Sequence, residues 1–204
     1  MNTLIRKGIV CALVSLSIFK ANAQVTIGPE VGFTASGLYS SESDVFAGIN
    51  LQGGVTAHLQ VADFLAVRPS LLFKTGTMVD ADYDSYKMSL SRLAVPIPVL
   101  YSKVFDNGNT LFAGAGPNFM LNLSGKFKYD GDSEKIEFGS GEEQMKRFDL
   151  GLHVKGGFQF SNGIALSTFF NYGFSNLSNA SEGKVRSLDA IGFSIGWMFG
   201  SNGE

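Results

Sequence analysis

The chain has 204 residues, a formal net charge of −2 and no run of Lys and Arg that could track a phosphate backbone, which excludes nucleic-acid binding. Its 25 glycines and 18 phenylalanines, set against 5 prolines and 17% charged residues, suit many short strands rather than helices. After the N-terminal segment, no stretch is apolar enough for a membrane helix.

At the N-terminus, Arg6 and Lys7 precede an apolar run from Gly8 to Phe19, followed by Ala21-Asn22-Ala23, a small-x-small site of the kind signal peptidase cleaves. The run is shorter than the roughly 20 residues a spanning helix needs, and strand-like alternation begins at once. Residues 1–23 are therefore expected to be a signal peptide and residues 24–204 the mature domain. Cys11, the only cysteine, lies in the removed segment, so the mature chain has no thiol for a disulfide, a lipid anchor or a metal.

The mature chain then alternates with a period of two, the mark of strands with two unlike faces. The first strand sets Val25, Ile27, Val31 and Phe33 against Thr26, Glu30 and Thr34; the second sets Ile49, Leu51, Val55 and Leu59 against Asn50, Gln52, Thr56 and His58. Leu65, Val67, Leu71 and Phe73 oppose Arg68, Ser70 and Lys74 in the third. In the fourth, Leu93, Val95, Ile97, Val99 and Tyr101 oppose Arg92 and Ser102, and Pro96 and Pro98 remove two ladder donors. The fifth sets Leu111, Phe119, Leu121 and Leu123 against Gly114, Gly116, Asn118 and Asn122. The sixth has the clearest alternation, with Phe148, Leu150, Leu152, Val154, Phe158 and Phe160 against Asp149, His153, Lys155 and Gln159. Ile164, Leu166, Phe170, Tyr172 and Phe174 oppose Ser167 and Asn171 in the seventh, and Ile191, Phe193, Ile195, Trp197 and Phe199 oppose Gly192, Ser194 and Gly196 in the eighth.

Short turns at 61–64, 105–110 and 161–163 alternate with longer polar connections at 37–45, 76–87, 125–146 and 176–186. Short turns at one end and long loops at the other, with small residues on the polar face and aromatics near strand ends, favour a membrane barrel over a soluble sandwich or lipocalin-like barrel. The expected fold is all-β: a closed eight-stranded antiparallel transmembrane β-barrel, an up-and-down meander preceded by a cleaved signal peptide. The expected place is the bacterial outer membrane, with both termini periplasmic and membrane lipid as a partner. Eight strands leave an interior that side chains can fill, so a wide pore is not expected.

Four stretches carry a family resemblance: Arg92 to Tyr101 (RLAVPIPVLY), Phe112 to Pro117 (FAGAGP), Phe148 to Leu152 (FDLGL) and Ile191 to Phe199 (IGFSIGWMF). In this order the chain resembles the small outer-membrane β-barrel proteins of Bacteroidetes-type bacteria, the PorT-like family. The resemblance implies insertion by the barrel-assembly machinery, with the aromatic end of the last strand as its signal, and for some relatives a part in protein secretion or gliding. Here Phe199 is followed by Gly200 to Glu204 rather than ending the chain.

Strand parity points Glu30, Arg68, Lys74, Arg92, Asp149, His153 and Lys155 into the lumen, where opposite charges are expected to pair as a structural plug. A hydrolase built on His58 or His153 would need a nucleophile beside the base and a third group to orient it, and no serine motif of that kind is expected; the histidines read as lumenal hydrogen-bonders. Asp80, Asp82 and Asp84 resemble the start of a calcium loop, but Ser85 and Ser91 stand where such a loop needs glycine and glutamate, so no metal or cofactor is expected. The 125–146 segment reads as an outward polar loop. The leading functional reading is a non-enzymatic scaffold or subunit of an envelope or secretion assembly, recognising partner proteins through its loops. A narrow transport or ion-permeation barrel and a lipid-modifying hydrolase are the alternatives.

Overall fold

The computed structural model describes residues 25–40, 45–83, 85–129, 131–180 and 183–200. The expected signal peptide and its cleavage site lie outside these described residues. The strands are β1 (Val25–Ser40), β2 (Val45–Ala62), β3 (Leu65–Val67), β4 (Ser70–Asp80), β5 (Lys87–Pro96), β6 (Val99–Val104), β7 (Thr110–Tyr129), β8 (Asp132–Lys135), β9 (Phe148–Gln159), β10 (Ile164–Gly173) and β11 (Val185–Trp197). β3 with β4, and β5 with β6, each make one stave, so eight staves form the wall, and β8 is a short return strand on β7. Every neighbouring pair is antiparallel, and β1 pairs with both β2 and β11, which closes the ring. Phe199 extends that closure by exchanging two backbone hydrogen bonds with Ile27, each 2.8 Å.

The two faces follow the alternation, but inverted relative to a soluble protein. On β2, Ile49 and Leu51 are 66% and 62% exposed, whereas Asn50 between them is 2% exposed. The same inversion runs round the wall, with Val31, Phe33, Leu71, Ile195 and Trp197 exposed and Glu30, Thr34, Lys74, Asn118 and Asn171 buried. Water would disfavour that belt at about 25 cal/mol per Å² of apolar surface, and hydrocarbon removes the cost. Aromatics mark both rims: Phe64, Tyr101, Phe160 and Trp197 toward the short turns, and Tyr39, Tyr83, Phe148 and Phe174 toward the long connections. The short turns use glycine where the backbone needs it, with Gly108 at φ 77° and Gly163 at φ 87°.

The prolines are accommodated by gathering the lost donors in one place. Register runs unbroken on either side of a gap, from Leu72 opposite Ala94 to Val67 opposite Val99, so Pro69 comes to lie across from the Pro96-Ile97-Pro98 stretch. The carbonyls there remain in use: Pro69 accepts from Ala57 N–H, Pro98 from Arg68 N–H and Pro117 from Ile97 N–H, at 2.9–3.0 Å. Pro96 and Pro98 turn their rings into the buried interior. The wall thus breaks into two strands in each of two neighbouring staves without losing register.

Strands reach farther than the alternation suggested. β1 continues to Ser40, β4 to Asp80 and β7 to Tyr129, each inside a segment expected to be loop. Two β-bulges shift the alternation along these walls. One, between Ser91/Arg92 and the facing Asn122 to Ser124, leaves Leu123 and Ser124 both exposed and reverses the parity of β7 beyond them. The other leaves Ala190 and Ile191 both exposed and reverses the start of β11.

Large inward side chains sit against glycines on the neighbouring stave. A Cβ on Gly192 would lie 2.2 Å from the ring of Phe169. Gly192→Ala is therefore expected to lower stability by about 1–3 kcal/mol through overpacking, and Phe169→Leu in the same chain to restore part of it. Urea unfolding in lipid vesicles, followed by the fluorescence of the sole tryptophan, Trp197, measures both.

Candidate functional site

The lumen holds several neighbouring groups of paired polar side chains. Lys155 Nζ donates to Glu30 Oε1 at 2.6 Å, joining β9 to β1 across the interior. Lys74 pairs with Asp189, and Asp189 also accepts from Ser36 Oγ and Asn171 Nδ2, each at 2.6 Å. Asn171 Oδ1 in turn accepts from Asn118 Nδ2 at 3.0 Å and meets His153 Nδ1 at 2.6 Å. Asp149 accepts from Ser187 Oγ, and Arg92 is within electrostatic reach of Asp149 and Asp189. The Arg68 guanidinium stacks 4.5 Å over the ring of Phe112 and lies within reach of Glu30.

Glu30, Arg68, Lys74, Arg92, Asp149, His153 and Lys155 are thus all buried on the inward face, as parity predicts. Asp189, the anion that gathers Lys74, Ser36 and Asn171, escapes the sequence reading because simple alternation from Ile191 points it outward. The bulge at Ala190 turns it in. Apolar groups fill the levels between the charges, Leu72 with Ala94 and Met120, and Ala66 with Leu100 and Phe112. A buried charge stranded without a partner costs several kcal/mol, so pairing across the lumen locks the staves to one another.

The two histidines each meet a side-chain amide. His58 Nε2 meets Gln60 Oε1 at 3.0 Å and His153 meets Asn171, so neither hydrogen-bonds a serine or a carboxylate among the described residues. Contrary to expectation, one string has the Gly-x-Ser-x-Gly spacing, Gly192-Phe193-Ser194-Ile195-Gly196. It runs straight through β11 rather than through the sharp strand-to-helix turn that exposes a nucleophile, and Ser194 bonds neither histidine. Asp80 Oδ1 accepts from the N–H groups of Asp82 and Tyr83 at 2.8 and 3.0 Å, which caps the β4–β5 turn; Asp84 lies outside the described residues.

The mouth at the long-connection end is built differently from the loop the sequence suggested. Segment 131–147 is not simply an outward polar loop: its Ile136, Phe138 and Met145 pack on a buried group of Leu38, Met78, Leu90 and Leu177. Backbone bonds fasten it there, Ile136 N–H to Gly125 O at 3.0 Å and Lys146 N–H to Leu177 O at 2.8 Å. Asn179 Nδ2 clamps it from the neighbouring connection by donating to Gly139 O and Gln144 O, both 2.9 Å. Between this cap and the barrel rim lies a cavity of about 900 Å³, with Phe46, Met88, Met145 and Leu177 among its apolar lining and Glu134, Glu137, Glu142 and Glu143 at its edge. That volume is in the range of small-ligand pockets.

A closed eight-stave ring with an apolar exterior and a largely polar interior defines a small outer-membrane β-barrel. Residues 20–179 match the outer membrane protein beta-barrel domain family, and the chain belongs to that family in the bacterial outer membrane. Among solved structures it is similar to OprG from Pseudomonas aeruginosa, at 13% identity and TM-score 0.53, covering 88% of this chain and 97% of that one. It is also similar to Neisserial surface protein A, at 14% identity and TM-score 0.50, covering 88% and 100%. Both likenesses are of fold. No curated protein matches the sequence.

Asp189→Leu is expected to cost about 3–5 kcal/mol, because Lys74 is left charged and alone in the interior. The double variant Lys74→Met with Asp189→Leu is expected to recover part of that loss. A double-mutant cycle of unfolding free energies in vesicles checks the coupling.

Proposed function

We propose that the protein is a non-enzymatic outer-membrane barrel that recognises an envelope protein through the capped mouth, its long connections facing the cell exterior and its termini the periplasm. The observation that carries this reading is the cap itself. A connection that served only to stay soluble would need no apolar underside, whereas this one sets Ile136, Phe138 and Met145 on a core of its own and holds a 900 Å³ cavity above a filled lumen. Methionines at 88 and 145 supply an adaptable surface of the kind used at binding sites.

The resemblance to PorT-like barrels of Bacteroidetes-type bacteria supports an assembly role, in secretion or in envelope organisation. The arrangement of the two histidines gives the hydrolase reading no nucleophile. The transport reading requires an open lumen, and the network from Glu30 to Asp189 occupies it.

Gentle detergent extraction of envelopes is expected to co-purify an envelope protein with the wild-type barrel. The variant Ile136→Ser, Phe138→Ser, Met145→Ser is expected to lose that partner while still running as a folded barrel on an unheated gel. A wild-type barrel that emerges alone overturns the reading. In planar bilayers the purified protein is expected to give no discrete conductance steps, and stepwise current would instead favour the transport reading.

A further inference from the structure

Where the sheet rises beyond the apolar belt, its outer face becomes basic. β5 and β7 set Lys87 directly opposite Lys128, and β7 and β8 set Lys126 directly opposite Lys135. All four lysines are exposed. Like charges facing each other across a ladder destabilise it, and among the described residues none of the four forms an ion pair. The sheet nevertheless sorts them onto one side. The bulge at Leu123 and Ser124 turns Lys126 and Lys128 outward, and alternation along β8 puts Ser133 and Lys135 on that outer face but Asp132 and Glu134 on the other. Glu134 and Lys135 both border the cavity at the mouth.

Hydroxyls continue the patch toward the membrane. Thr77 bonds Ser89 at 2.8 Å and Thr75 bonds Ser91 at 3.1 Å, and Ser124 lies opposite Ser91. One step farther along the same face, Phe73 opposite Leu93 and Leu93 opposite Leu121 return to the apolar belt. The patch therefore sits on the membrane-facing side of the wall, at the height where hydrocarbon gives way to headgroups. Its lysines are spaced by about 5 Å across strands and about 7 Å along them, close enough for two to meet one doubly charged headgroup.

We propose that Lys87, Lys126, Lys128 and Lys135, with the adjoining hydroxyls, form a binding site for the phosphate groups of a multiply phosphorylated membrane lipid bordering the barrel. The repulsion among the lysines is relieved when the phosphates arrive, and the apolar belt below takes the acyl chains. Lys87, Lys126 and Lys128 lie outside the mouth cavity, which Lys135 also borders.

The test uses the protein purified from envelope membranes and placed in phosphatidylcholine nanodiscs containing either diphosphoryl lipid A or its dephosphorylated form, with bound lipid counted by native mass spectrometry. Wild type is expected to retain the phosphorylated lipid roughly tenfold better than the variant Lys87→Gln, Lys126→Gln, Lys128→Gln, Lys135→Gln. Replacing the same four residues by Arg is expected to preserve retention, as is Lys103→Gln at the opposite rim. An unheated gel confirms that each variant is a folded barrel. Equal retention of both lipids by wild type, or undiminished retention by the glutamine variant, overturns the proposal. Displacement of the lipid by an equal concentration of inorganic pyrophosphate would show a site for a soluble anion and overturn the lipid assignment.

Discussion

Every feature of this molecule depends on one constraint: in hydrocarbon, a backbone N–H or C=O has nothing to bond but another backbone group. The pairing of β1 with β11, extended by Ile27 and Phe199, removes the two free edges an open sheet would expose. Once the ring is closed, the outer face must be apolar, and eight staves leave an interior narrow enough for side chains to fill. The prolines test the constraint hardest. Pro69, Pro96 and Pro98, confined to facing positions of two staves with the carbonyls of Pro69 and Pro98 still accepting, leave the ladder on both sides in register.

Period-two alternation made most of this fold legible, because each strand has one face toward lipid and one toward the lumen, and the exposed Ile49 and Leu51 flank a buried Asn50 as the pattern requires. Six of the inward charges follow from the same rule. What alternation cannot register is an inserted residue. At Ala190 and at Leu123 a single extra position reverses every side chain beyond it, so Asp189 turns inward and Lys126 and Lys128 turn outward. The anion at the centre of the plug and the basic outer patch were both hidden by that reversal.

The cap at the mouth escaped for a different reason. In the 125–147 segment the apolar residues Phe127, Ile136, Phe138 and Met145 are few and irregularly spaced among acids and lysines, so local composition reads as a solvated loop. Their partners, Leu38, Met78, Leu90 and Leu177, come from four other parts of the chain. Contacts of such sequence separation have no local signature.

Plug and cap are mechanically continuous. Asp189 holds Ser36 on β1, and two residues farther along the same strand Leu38 enters the buried group beneath the cap. Lys74 stands four residues before Met78 on β4, and Arg92 two residues after Leu90 on β5, so these two adjacent staves each carry a charge of the network and a side chain of the cap core in succession. Ion pairing in the lumen thereby fixes the spacing of the strands on which the mouth is built. The buried charges do more than fill the interior: they hold together the rim that frames the cavity, and a rim held in place loses less conformational entropy when a ligand binds there.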